Sequence, residues 1–194
     1  MKKVSFIIPC YNEEEVLPLL YERLNNVSKE LKNYEYEFIF INDGSKDKTE
    51  EIIENLNKKD NRVKLYSFSR NFGHQAAVSC GIHHCQSDMA IIIDADLQDP
   101  PEIIPDMIKE YEKTKIPIIY GKRISREGES LFKKLTASIF YRLINLLSEV
   151  QFPVDTGDFR LIDKTVIDAY KSFSENTKYI RGLISWMGLE QKAF

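Results

Sequence analysis

The feature of this sequence with the clearest chemical meaning is a pair of aspartates, Asp94 and Asp96, directly after the apolar run 89–93. Mg²⁺ and similar hard cations prefer oxygen ligands and often bridge one or two carboxylates to substrate phosphates. One aspartate can therefore hold a metal while the other contacts a sugar or ribose. The structural alternative is that these acids cap a helix that begins at Pro100, and Asp99 fits this alternative well. For Asp94 and Asp96 we favour a functional role, because two close negative charges at the end of a strand destabilise the fold unless a cation binds.

Three other polar clusters also follow apolar runs, at residues 9–13, 42–45 and 70–71. In an open parallel sheet, ligands bind at the carboxyl ends of the strands. The four clusters are therefore expected to meet along one edge. Asp43 alone would be read as part of an Asp-Gly turn, but its expected place beside Asp94 favours a role in the site.

Apolar runs and helical periodicities alternate up to about residue 120, which predicts an α/β fold: a single domain with a mostly parallel central sheet flanked by helices. Asp47 is expected to cap the second helix. The predicted strands are 4–8, 37–41, 63–68, 89–93 and 116–120, and the predicted helices are 13–33, a segment after 47, 75–84 and a segment from 100 to 111.

Composition narrows the class of protein. The chain has 194 residues and a net charge of -3, so no global basic field indicates nucleic acid as a partner. Its three cysteines favour a reducing compartment. Neither a phosphate-binding loop nor a dinucleotide-binding glycine turn is present. Phosphate charge must then be neutralised by a metal and basic side chains, which favours a nucleotide-sugar transferase over a kinase, a GTPase or a dehydrogenase.

The last third of the chain has a different pattern. Residues 122–142 carry a local excess of basic side chains, and a broadly apolar helix is predicted at 131–147. Its segment 139–147 could lie on a membrane surface. A core or dimer interface is an equal alternative, because a helix that is apolar over much of its girth is usually buried.

Seven motifs together resemble family 2 glycosyltransferases of the GT-A (Rossmann-like) fold. The first three are typical of the family, and the other four resemble its polyprenyl-phosphate branch, which includes bactoprenol glucosyltransferases and dolichyl-phosphate mannosyltransferases. They are 6–14 (FIIPCYNEE), 42–45 (NDGS), 94–100 (DADLQDP), 70–73 (RNFG), 121–123 (GKR), 157–161 (GDFRL) and 182–186 (GLISW).

The resemblance implies a role for each matching residue. Tyr11 would lie against the nucleobase, and Asp43 would accept a hydrogen bond from it. The donor-binding residues implied in this way are Pro9, Tyr11, Glu13, Asp43, Arg70 and Asp94. Asp96 and Gln98 would hold Mg²⁺ or Mn²⁺ on the diphosphate, and Asp96 would thereby also be catalytic.

On the acceptor side, Asp158 would be catalytic and face the anomeric carbon. Relatives often use a carboxylate here as a base. A phosphate acceptor is largely ionised at neutral pH, since its second pKa is near 6. We therefore expect Asp158 mainly to orient the acceptor or shield positive charge on the sugar. Positions that hold the lipid phosphate in relatives correspond to Arg123, Lys134 and Ser138.

These roles imply a metal-dependent, inverting hexosyltransferase whose donor is a nucleotide diphosphate sugar, UDP-glucose being favoured. Its acceptor would be a polyprenyl phosphate such as undecaprenyl phosphate, at the cytoplasmic membrane surface. Residues 1–122 would bind the donor and 123–194 the acceptor. The branch usually continues into C-terminal membrane helices, which this chain does not include. A homo-oligomer stays an open alternative.

Three other functions remain open. A family 2 enzyme could add sugar to a polysaccharide or another hydroxyl acceptor, and Asp158 would then have to act as a true base. A binding module would bind nucleotide sugar without turnover. A sugar-phosphate nucleotidyltransferase ranks last, because residues 9–13 lack the glycines of its first loop.

Overall fold

Seven strands form one mixed sheet at the centre of the molecule, in the spatial order β3-β2-β1-β4-β6-β5-β7. The structure, a computed structural model, describes residues 1–122, 156–174 and 179–194. Neighbouring strands are parallel except around β6, which runs antiparallel to both β4 and β5. The strands are Lys2–Cys10 (β1), Tyr34–Asn42 (β2), Val63–Ser67 (β3), Met89–Ile92 (β4), Ile118–Lys122 (β5), Thr156–Asp163 (β6) and Gln191–Ala193 (β7).

Helices cover both faces of this sheet, which confirms the predicted α/β class. The helices are Leu17–Glu30 (α1), Thr49–Lys59 (α2), His74–His84 (α3), Ile104–Thr114 (α4) after a 3₁₀ turn at Pro101–Ile103, Lys164–Ser172 (α5) and Ile180–Trp186 (α6). All five strands and all four helices predicted before residue 120 are present. Their ends shift by up to four residues, as at the start of α1.

The two hydrophobic cores explain why β1 reads as a continuous apolar run. Phe6 and Ile8 belong to the core under α1, α2 and α4, whereas Ile7 belongs to the core under α3, α5 and α6. All three side chains are fully buried. A strand buried on both faces needs apolar residues at every position rather than at alternate ones.

The start of α2 differs from the prediction. Lys48, not Asp47, is the capping residue, and its side chain makes no capping hydrogen bond. Asp47 instead accepts hydrogen bonds from the backbone N–H groups of Thr49, at 3.0 Å, and Glu14, at 3.1 Å. Its carboxylate is thus used one residue before the cap to join the two loops that follow β1 and β2.

Strand β6 is the main feature of the fold that the sequence did not predict. It lies between β4 and β5, and Arg160 pairs with Ile92. Because β6 is antiparallel to β4, its first residues lie at the sheet edge where β4 leads into Asp94. Asp158, near the start of β6, therefore reaches the edge where the polar clusters of the parallel strands meet.

The predicted helix at 131–147 and the basic segment after Lys122 lie outside the described residues. Among the residues that are described, no helix has both the length and the apolar character that crossing a bilayer requires.

A buried carboxylate joins the opposite ends of β1, β2 and β3. Glu37 is 3% exposed, and its carboxylate accepts hydrogen bonds from Lys3, at 2.6 Å, and Ser5, at 2.7 Å. Lys64 Nζ lies 2.7 Å from the same group. Burial alone would raise the pKa of Glu37, but these partners outweigh it and the pKa is lowered.

Replacing Glu37 by glutamine is expected to lower the free energy of unfolding by about 1–3 kcal/mol, because buried hydrogen-bonding groups lose a charged partner. The folded-state pKa lies below the unfolded value. The stabilisation is therefore complete above about pH 5 and is lost as the pH falls through the folded pKa. Chemical denaturation at pH 7 and pH 4 tests both points. Glu35→Gln, an exposed change on the same strand, is the control. Equal stability of the two variants at pH 7 would contradict the prediction.

Candidate functional site

A cavity of about 340 Å³ lies at the carboxyl ends of β1, β2 and β4. This is within the usual range of small-ligand sites, about 300–1,000 Å³. Six residues predicted from the sequence line it together: Pro9, Tyr11, Glu13, Asp43, Asp94 and Asp96. The convergence expected of the polar clusters therefore occurs in the structure.

The loop after β1 is fastened to the loop after β2. Asn12, at a positive φ of 57°, donates its backbone N–H to Ser45 Oγ and accepts the N–H of Lys46 on its side-chain oxygen. The N–H of Glu13 is donated to Thr49 Oγ1 at 2.8 Å. Tyr11 lines the cavity and is 40% exposed, which is compatible with its predicted contact with a nucleobase.

Asp43 is buried and holds the loop that follows β3. Its two carboxylate oxygens accept the backbone N–H groups of Phe72, at 2.7 Å, and Gly73, at 3.0 Å. This contact was not predicted. Each carboxylate oxygen has two acceptor sites, so Asp43 keeps acceptor capacity for the predicted hydrogen bond from a nucleobase. Asp43 therefore shapes the cavity wall.

The Asp94 and Asp96 carboxylates have different surroundings. Asp94 is 28% exposed and lies 2.7 Å from His74 Nε2. Asp96 is exposed and accepts the backbone N–H of Gln98 at 3.0 Å, across Leu97, whose φ is 61°. A leucine in the left-handed region is strained, and such strain gathers at functional sites. Asp96 lines the cavity, and Gln98 lies exposed beside it.

Negative charge accumulates on this wall of the cavity. Burial raises the pKa of the Glu13 carboxyl, and the charges of Asp96, Asp47 and Asp94 raise it further. A bound cation would relieve that repulsion. Among the described residues, no three His, Cys, Asp or Glu side chains lie close enough to hold a metal ion by themselves. A cation here would complete its shell with diphosphate oxygens and water, as Mg²⁺ usually does, so Asp96 and Gln98 fit it.

His74, the first residue of α3, lies between the carboxylates of Asp94 and Asp158. The sequence analysis did not single it out. Its Nδ1 lies 3.5 Å from Asp158, and its Nε2 bonds Asp94. The hydrogen bond to Asp94 raises the pKa of His74; burial opposes this and the charge of Asp158 adds to it. Its position directly after the RNFG motif, at a helix start, was the only available signal.

Asp158 is held by two arginines that the sequence analysis gave no role. Arg181 from α6 contacts both of its oxygens, at 2.7 and 3.1 Å, and Arg160 lies 3.6 Å away. Burial alone would raise the pKa of Asp158, but Arg181, Arg160 and His74 outweigh it and lower the pKa. Burial lowers the pKa of Arg160 to about 10, so it stays cationic at neutral pH. Asp158 is therefore a firmly ionised, weak base.

Among the described residues, the predicted donor residue Arg70 stands apart from this cavity. The exposed guanidinium of Arg70 lies over the Phe72 ring, 4.4 Å from its centroid, and Arg70 is not among the described residues that line the cavity. The three predicted acceptor residues, Arg123, Lys134 and Ser138, lie outside the described residues.

Gly44 allows the loop after β3 to lie directly on the loop after β2. Its φ is 67°, and a Cβ there would be 2.3 Å from the backbone carbon of Arg70. Gly44→Ala is expected to lower the free energy of unfolding by about 1–3 kcal/mol and to weaken binding of the nucleotide donor expected from the sequence, because the cavity wall must move. Gly188→Ala is the matched control, since Gly188 has a φ of 66° with nothing within 4 Å. Thermal melts and titration with nucleoside diphosphates compare the two variants, and equal nucleotide affinity would contradict the prediction.

Residues 5–171 match the family model described as Glycosyl transferase family 2. The chain belongs to glycosyl transferase family 2. Its relatives include the uncharacterized glycosyltransferase YkcC of Bacillus subtilis (strain 168), 46% identical over 189 residues, which are 97% of this chain and 58% of that protein. The bactoprenol glucosyl transferase of Shigella phage SfV is 40% identical over 186 residues, 96% of this chain and 60% of its own. The chain therefore spans about three-fifths of these family 2 relatives.

Solved structures support the GT-A fold of this family 2 chain. S. aureus TarS 1–349 in complex with UDP superposes with a TM-score of 0.64 at 16% identity, covering 99% of this chain and 57% of TarS. The mannosyltransferase PcManGT from Pyrobaculum calidifontis, in complex with GDP-Man and Mn²⁺, gives 0.62 at 16% identity, covering 100% and 55%. At such identities the likeness concerns the fold.

Proposed function

We propose that this chain is the catalytic domain of a metal-dependent, inverting glycosyltransferase that moves glucose from UDP-glucose to a polyprenyl phosphate such as undecaprenyl phosphate. Residues 1–122 bind the donor and 123–194 the acceptor, at the cytoplasmic face of the membrane. Support for the sugar and the lipid comes from relatives named bactoprenol glucosyl transferase, 40% identical over 96% of this chain.

The observation that carries the choice of acceptor is the state of Asp158. Its ion pair with Arg181 and its lowered pKa make it a poor proton acceptor. A hydroxyl acceptor must lose a proton as it attacks, so it needs a base near pH 7. A phosphate monoester is already largely ionised, since its second pKa is near 6. The site therefore suits a phosphate acceptor better than a hydroxyl.

In the proposed reaction, an oxygen of the acceptor phosphate attacks the anomeric carbon from the face opposite the UDP. The bond from that carbon to the diphosphate breaks, and its electron pair leaves with UDP, so the configuration inverts. Tyr11 contacts the base, Asp94 positions the sugar, and Asp158 shields positive charge on the ring. Mg²⁺ or Mn²⁺ held by Asp96 and Gln98 would neutralise charge on the departing diphosphate.

The test is transfer of radiolabelled glucose from UDP-glucose to undecaprenyl phosphate in detergent, followed by extraction of the lipid product. We expect labelled lipid with Mn²⁺ or Mg²⁺ and none with a chelator. GDP-mannose and UDP-N-acetylglucosamine test the choice of donor, and calorimetric titration with UDP, GDP and CDP identifies the base independently.

A hydroxyl-bearing glycoside is the competing acceptor. Faster transfer to the glycoside than to the lipid phosphate would overturn the proposed acceptor. Tight UDP-glucose binding without transfer to either would favour a binding module. Failure of a folded chain to bind any of the three nucleotides would contradict the donor site itself.

A further inference from the structure

The imidazole of His74 lies between the carboxylates of Asp94 and Asp158, and no role has yet been given to it. Asp94 follows β4, and Asp158 belongs to the antiparallel β6. The nitrogens of one ring lie 2.7 Å from Asp94 and 3.5 Å from Asp158. The first contact has the length of a strong charge-assisted hydrogen bond. The second is longer and acts mainly through charge.

We infer that His74 is a positioning residue that holds the donor-side carboxylate Asp94 and the acceptor-side carboxylate Asp158 in a fixed relation. This inference rests on the proposed function. It assigns His74 no contact with the reacting atoms. Its effect is exerted through the two carboxylates, which would otherwise repel each other and the incoming diphosphate.

The placement of the ring is built into the backbone. Gly73, directly before it, has φ 96° and ψ 152°, a region that is essentially limited to glycine. The N–H of Gly73 is held by Asp43. The loop is therefore anchored to the wall of the donor cavity, and α3 begins with its first side chain directed between the carboxylates. Such anchoring suits a residue whose role depends on position.

The surroundings raise the pKa of His74, and its ring has one nitrogen directed at each carboxylate. Asp94 and Asp158 face it from β4 and β6, and Arg181 faces it from α6 with the opposite effect on its charge. The Gln75 amide lies 3.4 Å from its Nδ1, and the same side chain accepts the N–H of Ile180 at the start of α6. Thus α3 and α6 are joined next to the ring.

Three variants separate the two contacts. His74→Ala removes both, His74→Gln can keep one donor for Asp94, and His74→Asn can keep one near Asp158. Misplacing reacting groups by about 1 Å can cost about 10²-fold in rate. We expect kcat to fall about 10²-fold for alanine and less for glutamine. Asparagine should lie between them, because the Asp94 contact is the shorter one. The dissociation constant for UDP should change less than about threefold, since the base pocket is intact.

His83→Gln is the matched control, an exposed histidine at the other end of the same helix. Unchanged kcat and KM for UDP-glucose in His74→Ala would overturn the inference. The inference would also be overturned if His74→Ala lowered kcat and UDP affinity by the same factor and also lowered the melting temperature. That result would indicate a structural role alone. If His74→Ala fails to fold, the inference stands or falls on whether His74→Gln exceeds His74→Asn in kcat at equal melting temperature.

The same variants keep this inference separate from the proposed function. Turnover is followed both as transfer to undecaprenyl phosphate and as transfer to the hydroxyl-bearing glycoside. If only the glycoside is used, the proposed acceptor is wrong, and the variants are compared on that reaction. If the wild-type chain turns over neither, the affinities for UDP-glucose and UDP are compared. If the wild-type chain binds UDP-glucose and UDP with different affinities and His74→Ala abolishes that difference, the inference is supported. If the difference persists in His74→Ala, the inference is overturned.

Discussion

Replacing Asp158 by asparagine is expected to lower kcat by about 10²–10³-fold, the usual effect of removing one preorganised electrostatic group from an active site. The carboxylate is 10% exposed and lies against Arg181, Arg160 and His74. A neutral amide of the same shape cannot offset the positive charge that develops on the sugar ring. KM for the donor should change much less than kcat, because Asp158 belongs to the acceptor side.

The same substitution should also lower the free energy of unfolding, by about 3–5 kcal/mol, because it leaves buried arginine charge without its carboxylate. Arg160 is only 4% exposed, so water cannot replace the lost partner. The control is Asp168→Asn, an exposed carboxylate on the following helix. In the double variant with Arg181→Gln, stability should partly recover while kcat stays low. No difference in stability between Asp158→Asn and the control would contradict this account.

The pH dependence distinguishes shielding from base catalysis at Asp158. Its pKa is lowered in the folded protein, so the group is ionised throughout the range from pH 5 to 8. With a polyprenyl phosphate acceptor, the fall of kcat/KM on the acidic side should therefore begin only below about pH 6, as the acceptor phosphate becomes protonated. An acceptor whose phosphate has a lower pKa should shift this fall of kcat/KM to lower pH. If the fall stays at the same pH and disappears in Asp158→Asn, Asp158 acts as a base.

Replacing Asp96 by asparagine is the second change with a large expected effect. An amide is a weaker ligand for a hard cation than a carboxylate, and a cation held by Asp96 in the proposed reaction would contribute several kcal/mol by neutralising charge on the leaving diphosphate. We expect kcat to fall by about 10²–10³-fold and the metal-dependent part of UDP affinity to disappear. The fold should be unaffected, because the Asp96 side chain is exposed.

Calorimetry with and without Mn²⁺, combined with the transfer assay, measures both effects of Asp96→Asn. Asp106→Asn, an exposed change on α4 whose carboxylate pairs with Lys109, is the control. A higher Mn²⁺ concentration should restore part of the activity of Asp96→Asn and none of that of Asp158→Asn. Wild-type metal dependence in Asp96→Asn would mean that the cation is held elsewhere.

The sequence by itself determined the parallel half of the fold and most of the donor cavity. Each polar motif directly follows an apolar run, and parallel strands with helical crossovers bring such ends to one edge. That local rule is enough to predict that Tyr11, Asp43, Asp94 and Asp96 lie together. The ends of helices and strands were predicted less accurately. Asp47 was expected to cap α2, but its carboxylate instead joins two loops by hydrogen bonds.

Tertiary structure alone decided the other half of the site. Strand β6 pairs with β4 across more than sixty residues of chain, and no local periodicity carries the information that it inserts antiparallel between β4 and β5. Once inserted, it brings Asp158 beside Asp94, where His74 and Arg181 meet it. Ionisation follows from those contacts. The sequence could name Asp158 by resemblance, but only the packing of Arg181 against it determines that it is a weak base.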